Sequence, residues 1–159
     1  MSGTSGWDQQ HVDEYLKRTG YQERSAAPVA APVVVPRITV CRVDPIGKPR
    51  MTRRDHWMKR PCVVAYWKYK LLLQGAFAGQ DLSNVHTVSW TAYFSMPESW
   101  SKKKKDAMRG TSHYSKPDRD NVDKGILDAL FENDSGIAHG EMHKYWDDGH
   151  GARLEIETK

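Results

Sequence analysis

The sequence predicts an α+β domain over residues 37–159, with a mixed β-sheet packed against helices. A chain of 159 residues can form one domain with a hydrophobic core and is too short for two ordinary ones. Residues 85–96 alternate apolar and polar side chains, as a strand with one buried face does. Residues 61–77 and 121–131 instead repeat apolar side chains every three or four positions, which is typical of amphipathic helices.

Residues 1–36 are expected to form a flexible N-terminal tail and linker outside this domain. The stretch from Ser25 to Pro36 has three prolines in an alanine- and valine-rich background, which favours an extended tether. Trp7, Val12 and Tyr15 can share one face of a short helix before it. Two interpretations stay open, a mobile tail and a small docking helix on a tether.

The first elements of the domain are a strand and a helix, joined by a basic loop. Ile38, Val40 and Val43 predict the strand, and the prolines and glycine that follow predict turns. Pro61 suits the first position of the helix. The predicted core face of this helix is Cys62, Tyr66, Tyr69, Leu73 and Phe77.

The later elements are a strand, two helices and two closing strands. The strand over residues 85–96 is followed by a short helix capped by Ser99 or Ser101 and ended by Gly110. The predicted apolar stripe of the second helix is Val122, Ile126, Ala129 and Leu130. Residues 137–146 and 153–157 predict the closing strands.

Charge is distributed unevenly along the chain. The net charge of +4 is weak evidence by itself. Residues 37–60 contain eight basic and two acidic side chains, whereas residues 118–134 contain six acidic and two basic ones. A basic surface around a small acidic centre is suited to bind a polyanion that also contacts a metal ion.

Basic residues predict a surface that contacts phosphate groups. Those of the loop after the first strand have few acidic neighbours, and arginine side chains fork onto phosphate oxygens. The run Lys102–Lys105 encircles a short helix, so its four ammonium groups cannot all face one ligand. For both segments a solvated surface is the alternative. The residues predicted to bind a phosphate backbone are Lys48, Arg50, Arg53, Arg54, Lys102, Lys103, Lys104, Lys116 and Lys144.

Two carboxylates, Asp118 and Asp120, predict a metal site. They are two residues apart, so in an extended segment their side chains point to the same side. Such like charges repel unless a cation lies between them, and Mg²⁺, with Mn²⁺ as the other candidate, prefers oxygen ligands. Lys124 returns to the face of Asp120 on a helix, where it can reach a phosphate oxygen or form an ordinary helix ion pair. Asn121 caps the helix or orients a ligand.

Asp134 poses a geometric problem because it follows the far end of the predicted helix. A helix from Asn121 to Phe131 is about 16 Å long. Three solutions stay open: the chain folds back sharply, the helix is shorter than predicted, or Asp134 reaches the other carboxylates from a second subunit.

Other features bound the function. A strand would place His139, Glu141 and His143 on one face, as an alternative zinc or manganese set or as solvent-facing polar residues. Cys41 and Cys62 lie in apolar surroundings without a CxxC pattern, which predicts reduced, packed thiols. The sequence contains no long apolar run and no signal pattern, so a cytoplasmic protein without a membrane span is expected.

The segment KPDRDNVDKGILDALFEND, together with GKPRMTRRD, SWTAYFSMPESWSKKKK and KYW, resembles the RusA family of Holliday-junction resolvases of bacteria and their phages. The resemblance covers about Ile38 to Glu157. It implies that Asp118, Asp120 and Asp134 are catalytic carboxylates that bind metal and that Lys124 is a catalytic lysine. Two departures are the short connection to Asp134 and residues 1–36, which have no counterpart.

The resemblance implies a magnesium-dependent homodimer of mixed α and β structure that cleaves four-way DNA junctions with paired nicks. The expected setting is recombination, repair or phage DNA processing in the cytoplasm of a bacterial cell. Two alternatives stay open: a broader nuclease of flaps and forks, and a non-catalytic junction-binding protein whose acidic turn is only structural.

Overall fold

The computed structural model describes Glu14, Lys17, Arg18 and residues 36–159. The chain divides into two units, Met1–Val34 and Val35–Lys159. Glu14, Lys17 and Arg18 are helical and exposed. The rest of the predicted tail and linker lies outside the described residues, so its boundary and its two interpretations stay predictions.

Four strands and three α-helices form the described part of the second unit. A short 3-10 helix, Arg53–His56, lies in the loop between the first strand and the first α-helix. In chain order the elements are β1 (Arg37–Cys41), α1 (Pro61–Ala76), β2 (Val88–Phe94), α2 (Lys102–Met108), α3 (Arg119–Leu130), β3 (Met142–Trp146) and β4 (Arg153–Thr158).

The strands form one mixed sheet in the order β1-β4-β2-β3. Strand β4 pairs antiparallel with both β1 and β2, so that Leu154 lies between Cys41 and Ala92. Strands β2 and β3 are parallel and pair Ala92 with Lys144. The parallel connection carries α2 and α3, since a crossover between parallel strands needs a long segment. The predicted α+β class with a mixed sheet is therefore confirmed.

The core lies between the apolar face of the sheet and the helices α1 and α3. Val88, Trp90, Ala92 and Phe94 are buried, and the residues between them are only partly buried, as the alternation predicted. On α3, Val122, Ile126 and Ala129 are buried. The two helices also meet directly, since Gln74 Nε2 donates to the Ala129 carbonyl over 3.1 Å.

The predicted burial of Cys62 in α1 needs correction. The helix is present as predicted, but Cys62 is exposed and Val63 is buried in its place. Cys41 is buried as expected, and this burial raises the pKa of its thiol to about 11. Neighbouring positions on a helix differ by about 100°, so an apolar run at a helix start does not reveal which member faces the core.

Helix α1 also has an exposed apolar face. Val64, Trp67, Leu71 and Leu72 are 41%, 52%, 67% and 57% exposed. We call these four residues the α1 outer face.

None of the helices in the part of the chain that the structure describes is long and apolar enough to cross a membrane.

Candidate active site

The predicted carboxylates lie at the N-terminal end of α3. The Lys116–Pro117 peptide bond is cis, and Asp118 is the N-cap residue, with an extended backbone. Asp118 contributes its carbonyl to the Val122 amide over 3.1 Å, but its side chain makes no capping hydrogen bond. An N-cap aspartate usually accepts from the first-turn amides. The Asp118 carboxylate is therefore not used by the helix and is available to a ligand.

Asp120 lies in the first turn of α3, and both carboxylates are exposed. The positive end of the helix dipole stabilises negative charge there, which reduces the repulsion between the two side chains. Asp118 also interacts electrostatically with Lys144, whose ammonium lies near it. The extended segment assumed for the pair is wrong, since Asp120 is already helical; that the two carboxylates bind one metal ion stays a prediction.

A groove lies beside this end of α3. It has a volume of about 550 Å³ and is lined by Lys48, Pro49, Arg50, Met51, Asn121 and Lys124. The basic loop after β1 thus forms one wall and α3 the other. The Lys48 amide donates to the Asn121 carbonyl over 2.9 Å and holds the two walls together. The predicted phosphate-contacting loop and the predicted catalytic helix therefore share one surface.

Gly47 allows the loop to approach α3 this closely. A Cβ atom at residue 47 would lie 2.9 Å from Pro117 Cβ and 3.2 Å from Asn121 Cβ. The first distance is too short for two carbon atoms in van der Waals contact. A side chain at this position would push the loop away from the segment that presents Asp118.

Lys48 is held by Asp128, one helical turn after Lys124. Its Nζ donates to Asp128 Oδ2, and both side chains are about three-quarters buried. This ion pair anchors the loop, and a phosphate contact of Lys48 would compete with it. DNA binding by Lys48 stays a prediction.

Arg60 orders the rest of the basic loop. Its guanidinium donates to Asp55 over 2.5 Å and 2.7 Å and to the Arg50 carbonyl over 2.8 Å. These hydrogen bonds hold the pKa of Asp55 well below its usual value. Arg50, Arg53 and Arg54 are exposed. The loop is thus pre-organised with three arginine side chains directed away from the core.

The second basic segment is the short helix α2. Ser101 is its N-cap and accepts from the Lys104 amide over 3.3 Å. Lys102, Lys103 and Lys104 are exposed, and Lys104 Nζ lies 4.0 Å from the centre of the Trp100 ring. Lys116 is exposed in the segment before Asp118. Their contacts with DNA stay predictions.

Asp134 does not join Asp118 and Asp120 within one chain. Helix α3 has 12 residues, so it is not shorter than predicted, and it spans about 18 Å. Beyond Asp134, the Ala138 amide donates to the carbonyl of His86, which lies just before β2. The Asp118 segment lies at another point along β2, because the Pro117 carbonyl accepts from Lys144, which pairs with Ala92. From His86 to Ala92 an extended chain covers roughly 20 Å. Among the described residues, Asp134 accordingly forms no group with Asp118 and Asp120 that could hold a metal ion, so the chain does not fold back to bring the three carboxylates together.

The alternative metal set also does not form. Strand β3 begins at Met142, later than predicted, and His139 makes only an isolated bridge with Thr87. His143 Nε2 lies 3.5 Å from Glu141 Oε2. Among the described residues no group of three or more His, Cys, Asp or Glu side chains could hold a metal ion.

The family model described as Endodeoxyribonuclease RusA matches residues 42–159.

The chain belongs to the RusA family of endodeoxyribonucleases.

Comparison with curated proteins and with solved structures gave no match. The RusA match begins after β1 and includes the basic loop, all three helices and both carboxylates of the α3 N-terminus. It confirms the predicted family and the prediction of an enzyme that cleaves DNA. The prediction of a non-catalytic junction-binding protein is not supported.

Three side chains of this RusA-family domain were not singled out from the sequence. Asp128 and Arg60 anchor the basic loop, and Asp123 accepts from Trp90 Nε1 over 2.8 Å, which ties α3 to β2. The spacing of Asp120, Lys124 and Asp128, each four residues from the next, was a signal for Asp128. For Arg60 and Asp123 the partners come from packing between distant segments.

Proposed function

We propose that this RusA-family endonuclease resolves four-way DNA junctions by paired nicks, as a magnesium-dependent homodimer, in recombination, repair or phage DNA processing. The observation that carries the proposal is the exposed pair Asp118 and Asp120, free of capping bonds, beside a groove with a basic wall. A phosphodiester backbone in this groove would meet cationic side chains on both walls, with the two carboxylates at the start of α3, just before Asn121 of the groove lining.

The donor set fits a hard divalent cation. Asp118 and Asp120 offer carboxylate oxygens, which Mg²⁺ and Mn²⁺ both accept, and no sulfur or imidazole ligand lies with them. When bound, the ion would supply an activated water and neutralise charge that develops on the phosphate. Two carboxylates from one chain leave several coordination positions for water, substrate or a further ligand.

The side chains around the pair bind and orient the DNA strand. Lys124, one turn after Asp120 and part of the groove wall, would donate to a phosphate oxygen. Arg50, at the opposite wall, can grip a neighbouring phosphate through its forked donors. These contacts with the cationic side chains of the groove walls would align the strand relative to the carboxylates before any bond is broken.

A second subunit would supply the third carboxylate. Two cuts related by two-fold symmetry need two matched sites, which a two-fold dimer provides. Asp134 is exposed and lies far from Asp118 in its own chain, so in this proposal it completes the site of the partner. The dimer surface we favour is the α1 outer face, because it is the apolar side of a rigid helix and is exposed to solvent.

The test is cleavage of a synthetic four-way junction by Asp118→Asn and Asp120→Asn. Each change keeps the shape and removes one negative charge. We expect nicking to fall by about 10²- to 10⁴-fold, since a metal supplies several kcal/mol of transition-state stabilisation. Junction affinity, measured without divalent ions, should stay equal or increase, because less negative charge meets the phosphates.

The matched control is Glu132→Gln, which removes an exposed carboxylate just after α3. It should nick at the wild-type rate. Wild-type nicking by folded Asp118→Asn and Asp120→Asn would exclude the metal site. Equal cleavage of junction, flap and linear duplex by the unaltered protein would instead show a broader branch nuclease.

Mixing inactive subunits tests where Asp134 acts. A heterodimer of Asp118→Asn and Asp134→Asn holds one intact site if Asp134 acts on its partner's site, because both changes then fall in the other site. It holds no intact site if the three carboxylates belong to one chain. Recovered nicking of one strand supports the proposal that Asp134 acts in the partner's site, and no recovery in confirmed heterodimers contradicts it.

A further inference from the structure

Lys144 reaches the segment that presents Asp118. It lies in β3, paired with Ala92 of β2, and its side chain is partly buried. Its Nζ donates to the Ser115 carbonyl over 2.8 Å and to the Pro117 carbonyl. Pro117 is the residue before Asp118, so the second hydrogen bond ends on the peptide group that leads into the N-cap of α3.

We propose that Lys144 is a positioning residue, whose ammonium fixes the Ser115–Asp118 segment and thereby the Asp118 carboxylate. This inference rests on the proposed function, because it assigns Lys144 an effect on catalysis through Asp118. It differs from the phosphate contact that the sequence predicted for Lys144.

The position of the Lys144 ammonium explains why one side chain can do this. Two carbonyl oxygens converge on one nitrogen, which has three donors and no acceptor. Charged donors form stronger hydrogen bonds than neutral ones. The centre of the Phe94 ring lies 5.6 Å from Nζ. The ammonium therefore lies between the sheet, which carries Phe94, and the Ser115–Asp118 segment.

The chain just before this segment is fixed by β3 as well. The His113 amide donates to the Lys144 carbonyl, and the Trp146 amide donates to the Thr111 carbonyl, both over 2.9 Å. The His113 ring is buried between Phe94 and Trp146, with ring centres 4.1 Å and 4.2 Å apart. Burial lowers the pKa of His113, and the nearby Lys144 charge lowers it further.

Only residues 114–117 therefore separate the part fixed by the β3 backbone from the start of α3. Without the Lys144 ammonium, these four residues would have no cross-link from β3 before the N-cap. Tyr114, Ser115 and Lys116 are exposed and bury little surface that could replace it. Loss of the ammonium should therefore displace Asp118 while the sheet stays intact.

The experiment compares Lys144→Met with Lys159→Met, which removes an exposed lysine at the end of the chain. Met keeps an unbranched apolar stem and removes the donors. We expect single-turnover nicking at saturating enzyme to fall by about 10²-fold, as a displacement of about 1 Å can cause. Junction Kd without divalent ions should change by less than about threefold, and Lys159→Met should leave both values unchanged.

Amide hydrogen exchange supplies a readout besides activity. Exchange should accelerate at the Val122 amide, which donates to the Asp118 carbonyl, in Lys144→Met and stay unchanged in β2 and β4. Chemical rescue then tests the ammonium itself. In a Cys62→Ser background, Lys144→Cys is alkylated with 2-bromoethylamine, which adds an ethylammonium group to sulfur with loss of bromide. Recovery of nicking and of slow exchange supports the positioning role.

Several outcomes would overturn it. One such outcome is wild-type nicking and wild-type amide exchange in Lys144→Met. Another is an unchanged nicking rate at saturating enzyme together with weaker junction binding and a slope of log affinity against log salt reduced by about 0.9, because this combination marks a phosphate contact. If the Met variant does not fold, Lys144→Gln, which lacks the charge and has a shorter reach, replaces it: slow nicking at wild-type Kd supports the proposal, and a wild-type rate contradicts it. Asp118→Asn distinguishes failure of the proposed function from failure of this inference. A fully active Asp118→Asn would contradict the proposed function. An inactive Asp118→Asn together with a fully active Lys144→Met would contradict only the positioning role of Lys144.

Discussion

Lys48 and Asp128 form an ion pair between the basic loop and α3, although they are 80 residues apart in the sequence. The pair is about three-quarters buried on both sides and lies one helical turn beyond Lys124. The loop that would grip DNA is therefore fixed to the helix that carries the candidate catalytic side chains, and the two walls of the groove behave as one unit.

The first prediction concerns this pair. Lys48→Met and Asp128→Asn should each lower the free energy of unfolding by up to about 1 kcal/mol, because partly exposed ion pairs are screened by solvent. The double variant should lose less than the sum, as residues in direct contact couple. Urea unfolding of the four proteins measures the coupling. Strict additivity would mean that the ion pair does not contribute.

The second prediction concerns the exposed arginines of the loop. Arg53→Gln with Arg54→Gln should reduce the slope of log affinity against log salt by about 0.9 for each lost phosphate contact on duplex arms. Arg37→Gln, which removes an exposed arginine at the start of β1, is the control and should leave the slope unchanged. A double variant with the slope of the unaltered protein would identify the loop as a solvated surface.

The third prediction concerns assembly. Leu71→Glu places a charge in the α1 outer face, and a charge buried in an apolar interface is costly unless it is paired. We expect light scattering to show a dimer for the unaltered protein and a monomer for Leu71→Glu. Ile38→Glu, at a similarly exposed apolar position of β1, is the control and should stay dimeric. Dissociation by the β1 change alone would place the interface on the opposite side of the sheet.

The fourth prediction concerns acid stability. Arg153 donates to both Asp148 oxygens, over 2.8 Å and 2.9 Å, and these bonds hold the pKa of Asp148 below its usual value. A carboxyl with a depressed folded-state pKa stabilises the fold above its unfolded pKa, about 3.9, and this contribution is lost as the pH falls through the folded value. Asp148→Asn should therefore lower the free energy of unfolding at pH 7 by about 1–3 kcal/mol.

Below about pH 4 the difference between Asp148→Asn and the unaltered protein should shrink, because protonation removes the same charge. Urea unfolding between pH 7 and pH 3 measures it. Asp106→Asn, which removes a more exposed partner of Arg109, should have little effect at any pH. A difference that stays constant down to pH 3 would contradict the assignment.

Local features of this chain were predictable from the sequence. The alternation of Val88, Trp90, Ala92 and Phe94 identified β2 and its buried face, since side chains of a strand alternate with a period of two. The proximity of Asp118 and Asp120 also followed from the sequence, because two positions so close in the chain stay close in any backbone conformation. Their position at the start of α3 was set by the apolar spacing that begins after Asp120.

Side-chain orientation within an apolar run was not predictable. Cys62 and Val63 are both apolar and adjacent, and α1 has apolar residues on its outer side as well, so its periodicity did not select one core face. Packing against β1 and α3 selected it. In the same way, the start of β3 depends on its register with β2: the Val88 and Trp90 amides already donate to the His139 and Glu141 carbonyls, but regular pairing begins only at Trp90 and Met142.

Residue types at short spacing were enough to predict the family, the main helices and strands, and the acidic pair with its basic surroundings. Only the folded chain shows that Lys48 pairs with Asp128, that Lys144 binds the segment before Asp118, and that Asp134 lies away from the other carboxylates. Each of these depends on which distant segments the sheet and helices bring together. Burial of apolar surface throughout the domain selects that arrangement, and short spacings in the chain do not encode it.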